Sequence, residues 1–204
     1  LFGNSRKIES LNPPDASSFE IVDSQNPAIG IINYIHADKA DLLMKGKIQT
    51  GDLLRAILNR DTGLRQGELL NHIAVIESPH YHKLLFISDG GINLHLDENV
   101  YQQMVVNITQ YLKLLGIESP HFGMMTLVET VSKKIPETII AQKVVKVLSK
   151  KVSIEGPIAP DVALSREAAT KKGLESEIAG EIDVFLMPST TAANHLVKGL
   201  TALG

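Results

Sequence analysis

Short β-rich runs alternate with helical patterns along almost the whole chain, and that alternation constrains the fold more than any other feature. The candidate strands are "FEIVD" (19–23), "ADLLM" (40–44), "HIAVIE" (72–77), "KLLFIS" (83–88), "FGMMTL" (122–127), "VSIEG" (152–156) and "DVFLMP" (183–188). Between them, apolar residues recur at helical spacing over 27–35, 50–59, 97–115, 136–148, 165–172 and 191–202. A strand that must reach a parallel neighbour needs a long crossover, usually a helix, so this order predicts an α/β protein with a mainly parallel sheet. One stretch departs from the rule. "IESPHYHKL" holds Pro79 between two strands and reads as a hairpin turn. The longest helical pattern ends in "KLLGIESP", with Gly116 as a C-cap and Pro120 beyond it. A boundary between a first α/β domain (1–117) and a second (118–204) is expected there.

Composition narrows the classes of function. The chain of 204 residues is 44% hydrophobic, enough to bury a sizeable core. Its net charge of −3 asks for neither nucleic acid nor an anionic membrane surface, so any anion site must be local. There is no cysteine, which removes disulfides, thiolate metal sites and a cysteine nucleophile, and is compatible with a reducing compartment. No apolar run approaches the roughly 20 residues of a membrane span. The expected setting is the cytoplasm.

The strand ends carry the chemistry. In "KADLLMKGKIQTGDLLRAIL" an apolar run stops at Lys45 and Gly46, and Thr50 precedes an amphipathic segment bearing Asp52 and Arg55. Free N–H groups at a helix start, a permissive glycine and two cations make an anion pocket. An ordinary strand-to-helix turn with solvated cations fits the same spacing. In "LLFISDGGINLHLD" a strand delivers Asp89 to its carboxyl end beside Gly90 and Gly91, either as a ligand-facing loop or as a capped tight turn, with Asp97 capping the next helix. "VSIEGPIAPDVALS" ends a strand at Glu155, Gly156 and Pro157 and sets Asp161 on a proline-stiffened loop. "LVETVSKKIPET" puts Glu129 at a strand end, with Lys133 and Lys134 before Pro136 at a helix start. Asn194 and Lys198 share one face of the last helix.

The histidines are weaker signals. His80 and His82 sit in a turn with no third metal ligand near in sequence, and His72 reads as a core residue of a strand. The chain has no G-x-S-x-G, no Walker loop and no G-x-G-x-x-G.

In order, the blocks "ADLLMKGKIQT", "GLRQGELLNHIAVIE", "LLFISDGGINL", "LVETVSKKIPET", "GPIAPDVALSREAATKKG", "IAGEIDVFLMPSTTAAN" and "VKGL" resemble the phosphate acetyl/butyryl transferase family, nearest its phosphate butyryltransferase branch. The resemblance implies two α/β domains around a cleft, similar in fold to isocitrate and isopropylmalate dehydrogenases, and a homodimer or higher homo-oligomer. It implies reversible transfer of a short or branched acyl group between coenzyme A and inorganic phosphate. Coenzyme A is then a substrate, with no tightly bound cofactor and no metal.

By motif, Lys45, Gly46 and Thr50 match a Lys-Gly-x-x-x-Thr turn, and Arg55 falls where related acetyltransferases place an arginine. Asp89 and Asn93 match Asp-x-x-x-Asn, Gly156, Pro157 and Asp161 match Gly-Pro-Leu-x-x-Asp, and Asn194 and Lys198 match Gly-Asn-x-x-x-Lys. Lys45, Arg55, Asp161 and Asp89 are the expected catalytic residues. Gly46, Thr50, Asn93, Lys133, Gly156, Pro157, Asn194 and Lys198 are the expected coenzyme A contacts.

Three positions depart from the family pattern: Pro160 replaces a leucine, Ala193 a glycine, and Asn71 a serine before His72. Family members also continue into a strand and a Ser-Arg block, so further sequence at both ends of this chain is expected. Direct attack of phosphate on the thioester needs positioning and oxyanion stabilisation rather than a covalent catalyst, with Asp161 or Asp89 orienting a donor or assisting proton transfer to the thiolate. The other expectation is a module that senses coenzyme A or acyl-CoA and has lost catalysis.

Overall fold

In the computed structural model, which describes residues 1–11, 18–67 and 69–203, the chain divides into two units, Leu1–Glu68 and Leu69–Gly204. The second unit is built on a five-stranded sheet. Its strands are β3 (Ala74–Ile76), β4 (Leu85–Ser88), β5 (His121–Met125), β6 (Ser153–Ile158) and β7 (Val184–Leu186), in the order β3-β4-β7-β5-β6. Only β3 runs antiparallel, paired with β4 through the turn at Pro79. The other neighbours are parallel, as the alternation predicts.

Helices cover both faces of this sheet, and the strands bury alternate residues against each. Phe86, Phe122, Met124, Val184 and Leu186 pack with α4 (Glu98–Leu114) and α5 (Pro136–Leu148). Leu85, Ile87, Met125 and Phe185 pack with α6 (Pro160–Leu164), α7 (Arg166–Lys171) and α8 (Thr190–Leu203). Strands apolar at successive positions are what a doubly covered parallel sheet requires. At the amino ends of the strands, Asp183 is buried and accepts from Lys83 Nζ at 2.6 Å and from the backbone N–H of His121 at 2.8 Å. One carboxylate thereby ties the starts of β4, β5 and β7.

The domain boundary expected near Gly116 lies inside this second unit. Gly116 does end the helix, with a φ of 80°, but β5 inserts beside β7 in the same sheet that holds β4.

The first unit is smaller. Its strands β1 (Phe2–Gly3) and β2 (Val22–Asp23) pair in parallel, α1 (Ser5–Glu9) lies between them in sequence, and α2 (Pro27–His36) and α3 (Thr50–Ile57) follow. Ala28, Ile32 and Leu53 are its buried apolar side chains. Of "FEIVD" only two residues pair, and "ADLLM" forms no strand. Leu42 and Met44 are 75% and 82% exposed. An apolar run becomes a strand only where a neighbour takes up its backbone groups, and among the described residues none does.

Candidate active site

Connections leave the carboxyl ends of adjacent strands for opposite faces at β7. The chain leaves β4 and β5 toward α4 and α5 on one face, and leaves β7 toward α8 on the other. Such a reversal opens a crevice at the strand ends, the usual ligand position in an open α/β sheet. The loop after β4 lies at this point.

That loop is locked by its first residue. Asp89 is fully buried; Oδ1 accepts from the N–H of Gly91 (2.8 Å) and Ile92 (3.0 Å), and Oδ2 from the N–H (3.1 Å) and Nδ2 (2.6 Å) of Asn93. Asn93 Nδ2 also donates to Leu70 O at 2.8 Å, and Asn93 O accepts from the hydroxyl of Thr190. Asn194 Nδ2 donates to Gly90 O at 2.9 Å. Asp89, Asn93 and Asn194 are therefore brought together around this loop. A carboxylate with four donors has no lone pair left for proton transfer, so Asp89 shapes the loop and is not itself a proton carrier. Ser189 caps α8 by accepting from the N–H of Ala192 at 3.1 Å.

Both departures at this point fit. Asn71 donates to Ser88 Oγ at 3.0 Å and accepts from Asn107 Nδ2 at 2.9 Å, a network a serine could not span. Ala193 is buried among the apolar residues of α8 and β4. His72 differs from expectation. It precedes β3 and is exposed rather than in the core. Its ring covers Gly90 so closely that a Cβ there would lie 2.9 Å from Nδ1.

Asp161 belongs to a second cluster. It occupies the first turn of α6, not a loop, because Pro160 starts that helix where no N–H is needed. The proline departure is thus accommodated. Lys172 Nζ lies 3.0 Å from Asp161 and 2.9 Å from Glu129. The hydrogen bond from Lys172 holds the Asp161 carboxyl below the usual carboxylate range, and the bonds to Glu129 and Asp161 raise the Lys172 ammonium. An aspartate kept ionised is an acceptor, which suits it to orienting a donor. Nothing in "KKG" distinguishes Lys172 from a solvated lysine; only the packing of α7 reveals it. The strand expected to end at Gly156 and Pro157 continues through both to Ile158, and a Cβ on Gly156, whose φ is 152°, would lie 2.5 Å from that of Met124, so this position in β6 needs glycine. Lys133 is exposed on the turn before α5, and Lys198 is exposed on α8 one turn past Asn194.

Lys45, Gly46 and Arg55 line one groove of about 1520 Å³ in the first unit, with Lys47, Asp52 and Leu53. Thr50 is the first residue of α3, and Gln49 holds the cap position without a side-chain bond. Arg55 is 78% exposed and bonds Asp52 at 2.8 Å. Nothing lies within 4 Å of a Cβ placed on Gly46, so the turn does not require glycine. Among the described residues no group of three or more His, Cys, Asp or Glu is placed to hold a metal ion.

Comparison with known proteins gives this geometry a family. The family model "Phosphate acetyl/butaryl transferase" matches residues 9–204. A phosphate butyryltransferase of Clostridium acetobutylicum is 36% identical over 194 residues, which are 92% of this chain and 64% of that protein. A probable phosphate butyryltransferase of Bacillus subtilis is 33% identical over 208 residues, 98% of this chain and 70% of the relative. The chain thus spans about two thirds of the length of these relatives. The crystal structure of a branched-chain phosphotransacylase from Enterococcus faecalis superposes with a TM-score of 0.85 at 25% identity, over 94% of this chain and 71% of that one. With the match running over residues 9–204, the chain belongs to the phosphate acetyl/butyryl transferase family.

Proposed function

We propose that this protein moves a short or branched acyl group between coenzyme A and inorganic phosphate. The observation that carries the reading is the 36% identity to a phosphate butyryltransferase over 92% of the chain. Support also comes from the likeness to a branched-chain phosphotransacylase and from the locked Asp89–Asn93 loop at the strand ends. In the reaction a phosphate oxygen bonds to the thioester carbonyl carbon and the C–S bond breaks: acyl-CoA and HPO₄²⁻ give acyl phosphate and CoA-SH. Lys45 and Arg55 supply positive charge for phosphate or for the developing oxyanion. Thr50, Gly46, Lys133, Lys198, Asn93 and Asn194 contact coenzyme A directly or shape the loops that do, and Gly156 and Pro157 lie in the end of β6 that leads into Asp161. Asp161, ionised, orients a donor on the substrate.

The enzyme works as a homodimer or larger homo-oligomer in the cytoplasm. A sensing module that binds coenzyme A without turnover is the competing reading, but the departures from the family pattern at Pro160 and Ala193 are sterically accommodated. The test is phosphate-dependent thiol release by the full-length protein from acetyl-, butyryl- and isobutyryl-CoA. Release that requires phosphate, with acyl phosphate as product, supports the enzyme. Coenzyme A binding by calorimetry without thiol release from any thioester overturns it in favour of the sensor.

A further inference from the structure

The proposed transfer has a proton to move, from HPO₄²⁻ to the departing thiolate, and the carboxylates already have partners. Asp89 is buried with four donors on its two oxygens, and Asp161 is paired with Lys172. Imidazole is the side chain suited to proton transfer near neutral pH. His72 stands at the right end of the sheet. It precedes antiparallel β3, whose pairing of Ala74 with Ile87 sets the start of β3 beside the carboxyl end of β4. Its backbone carbonyl is held by the Ser88 hydroxyl at 2.8 Å, so the residue is fixed while its ring is free. The ring is exposed, makes no hydrogen bond to any described residue, and lies over Gly90 in the loop that Asp89 locks. A glycine whose Cβ would strike that ring, 2.9 Å from Nδ1, leaves the space in which the imidazole sits.

We propose that His72 is a catalytic residue that carries this proton. The neutral ring accepts the proton of HPO₄²⁻ as the phosphate oxygen bonds to the carbonyl carbon. The imidazolium then delivers it to the sulfur as the C–S bond breaks, and the ring returns to its starting state. The assignment rests on the acyl-transfer reading above.

His72→Ala and His72→Gln in the full-length protein test it, with phosphate-dependent thiol release as the assay. Removal of the carrier should lower kcat by roughly 10²-fold or more, with KM for acyl-CoA and phosphate within about twofold. Added imidazole should restore part of the phosphate-dependent rate to His72→Ala but not to wild type. Gly90→Ala supplies a second measurement. Its new methyl displaces the ring, so it should lower kcat in the wild-type background and cost nothing further once His72 is alanine. Retention of kcat within about threefold in both His72 variants overturns the assignment while leaving the acyl-transfer reading intact. A loss of rate that follows a lowered melting temperature and resists imidazole makes His72 structural, which also overturns it. A wild type that releases no thiol with phosphate removes the parent reading, and the role of His72 falls with it.

Discussion

Lys172 serves two carboxylates at once, and a charge shared in this way has a defined pH signature. The folded Asp161 carboxyl lies below its unfolded value, so its contribution is present above the ordinary carboxylate range and is lost as pH falls through the lowered value. The Lys172 ammonium is raised, so its contribution is present below the ordinary lysine range and is lost as pH rises through the raised value. Lys172→Gln should return the Asp161 carboxyl upward toward the ordinary range, as read by carboxyl-carbon NMR titration. The accompanying change in stability should be small, because the Asp161 side chain is 60% exposed and solvent screens the pair. An Asp161 titration unmoved by the substitution would contradict the ion pair. Arg55 presents the opposite balance, an exposed guanidinium whose partner is a residue three positions back. Arg55→Ala should change unfolding free energy by no more than about 0.5 kcal/mol. If its charge meets phosphate, kcat/KM should fall by roughly 10²–10³, equivalent to about 3–4 kcal/mol. Denaturant melts and thiol-release kinetics on the same preparation separate the two effects, and unchanged turnover would leave Arg55 a surface residue.

Elements hold together here through a few polar ties as much as through apolar packing. The tie among β4, β5 and β7 is Asp183, 3% exposed, with one oxygen on Lys83 and the other on the His121 N–H. Lys83→Met would leave that carboxylate buried without its counter-charge, and breaking one side of a buried pair costs about 3 kcal/mol. A urea midpoint lowered in proportion, with an unchanged slope, is the expected result. A shift below about 0.5 kcal/mol would mean that water takes over the carboxylate. The same reasoning explains why "ADLLM" failed as a strand while "LLFIS" succeeded. Both are apolar runs, but Leu85–Ser88 has a hydrogen-bonded neighbour on each side, whereas the run at 40–44 has none among the described residues.

At the scale of the whole molecule, the two units differ in how much they bury. In the second, Phe86, Phe122, Phe185 and Tyr101 are essentially inaccessible, and two apolar clusters sandwich the sheet. In the first, Ala28, Ile32 and Leu53 are the only buried apolar side chains among the described residues, beside a two-stranded pair. Local opening is easiest where few apolar contacts oppose it. Amide hydrogen exchange should therefore be markedly faster in α2 and α3 than in β4, β5 and β7. Equal protection in both sets would show that the first unit opens only with global unfolding.

The sequence by itself determined the α/β class, the parallel sheet with its one hairpin, and most helix limits, because these depend on local periodicity and on punctuating residues such as Pro79, Pro136 and Gly116. It also marked Asp89, Asn93 and Asn194, whose spacing at a strand end and on a helix face is a local property. Only the tertiary structure decided which strands are neighbours, and with them where the units divide, since strand order depends on contacts between residues far apart in sequence. Tertiary contacts likewise decided what each polar residue does. Asp89 is saturated by its own loop, Lys172 is recruited by Asp161 and Glu129, and His72 is turned out over Gly90. A side chain's chemistry is written in its residue type, but whether that chemistry is already satisfied depends on neighbours that the fold alone brings near.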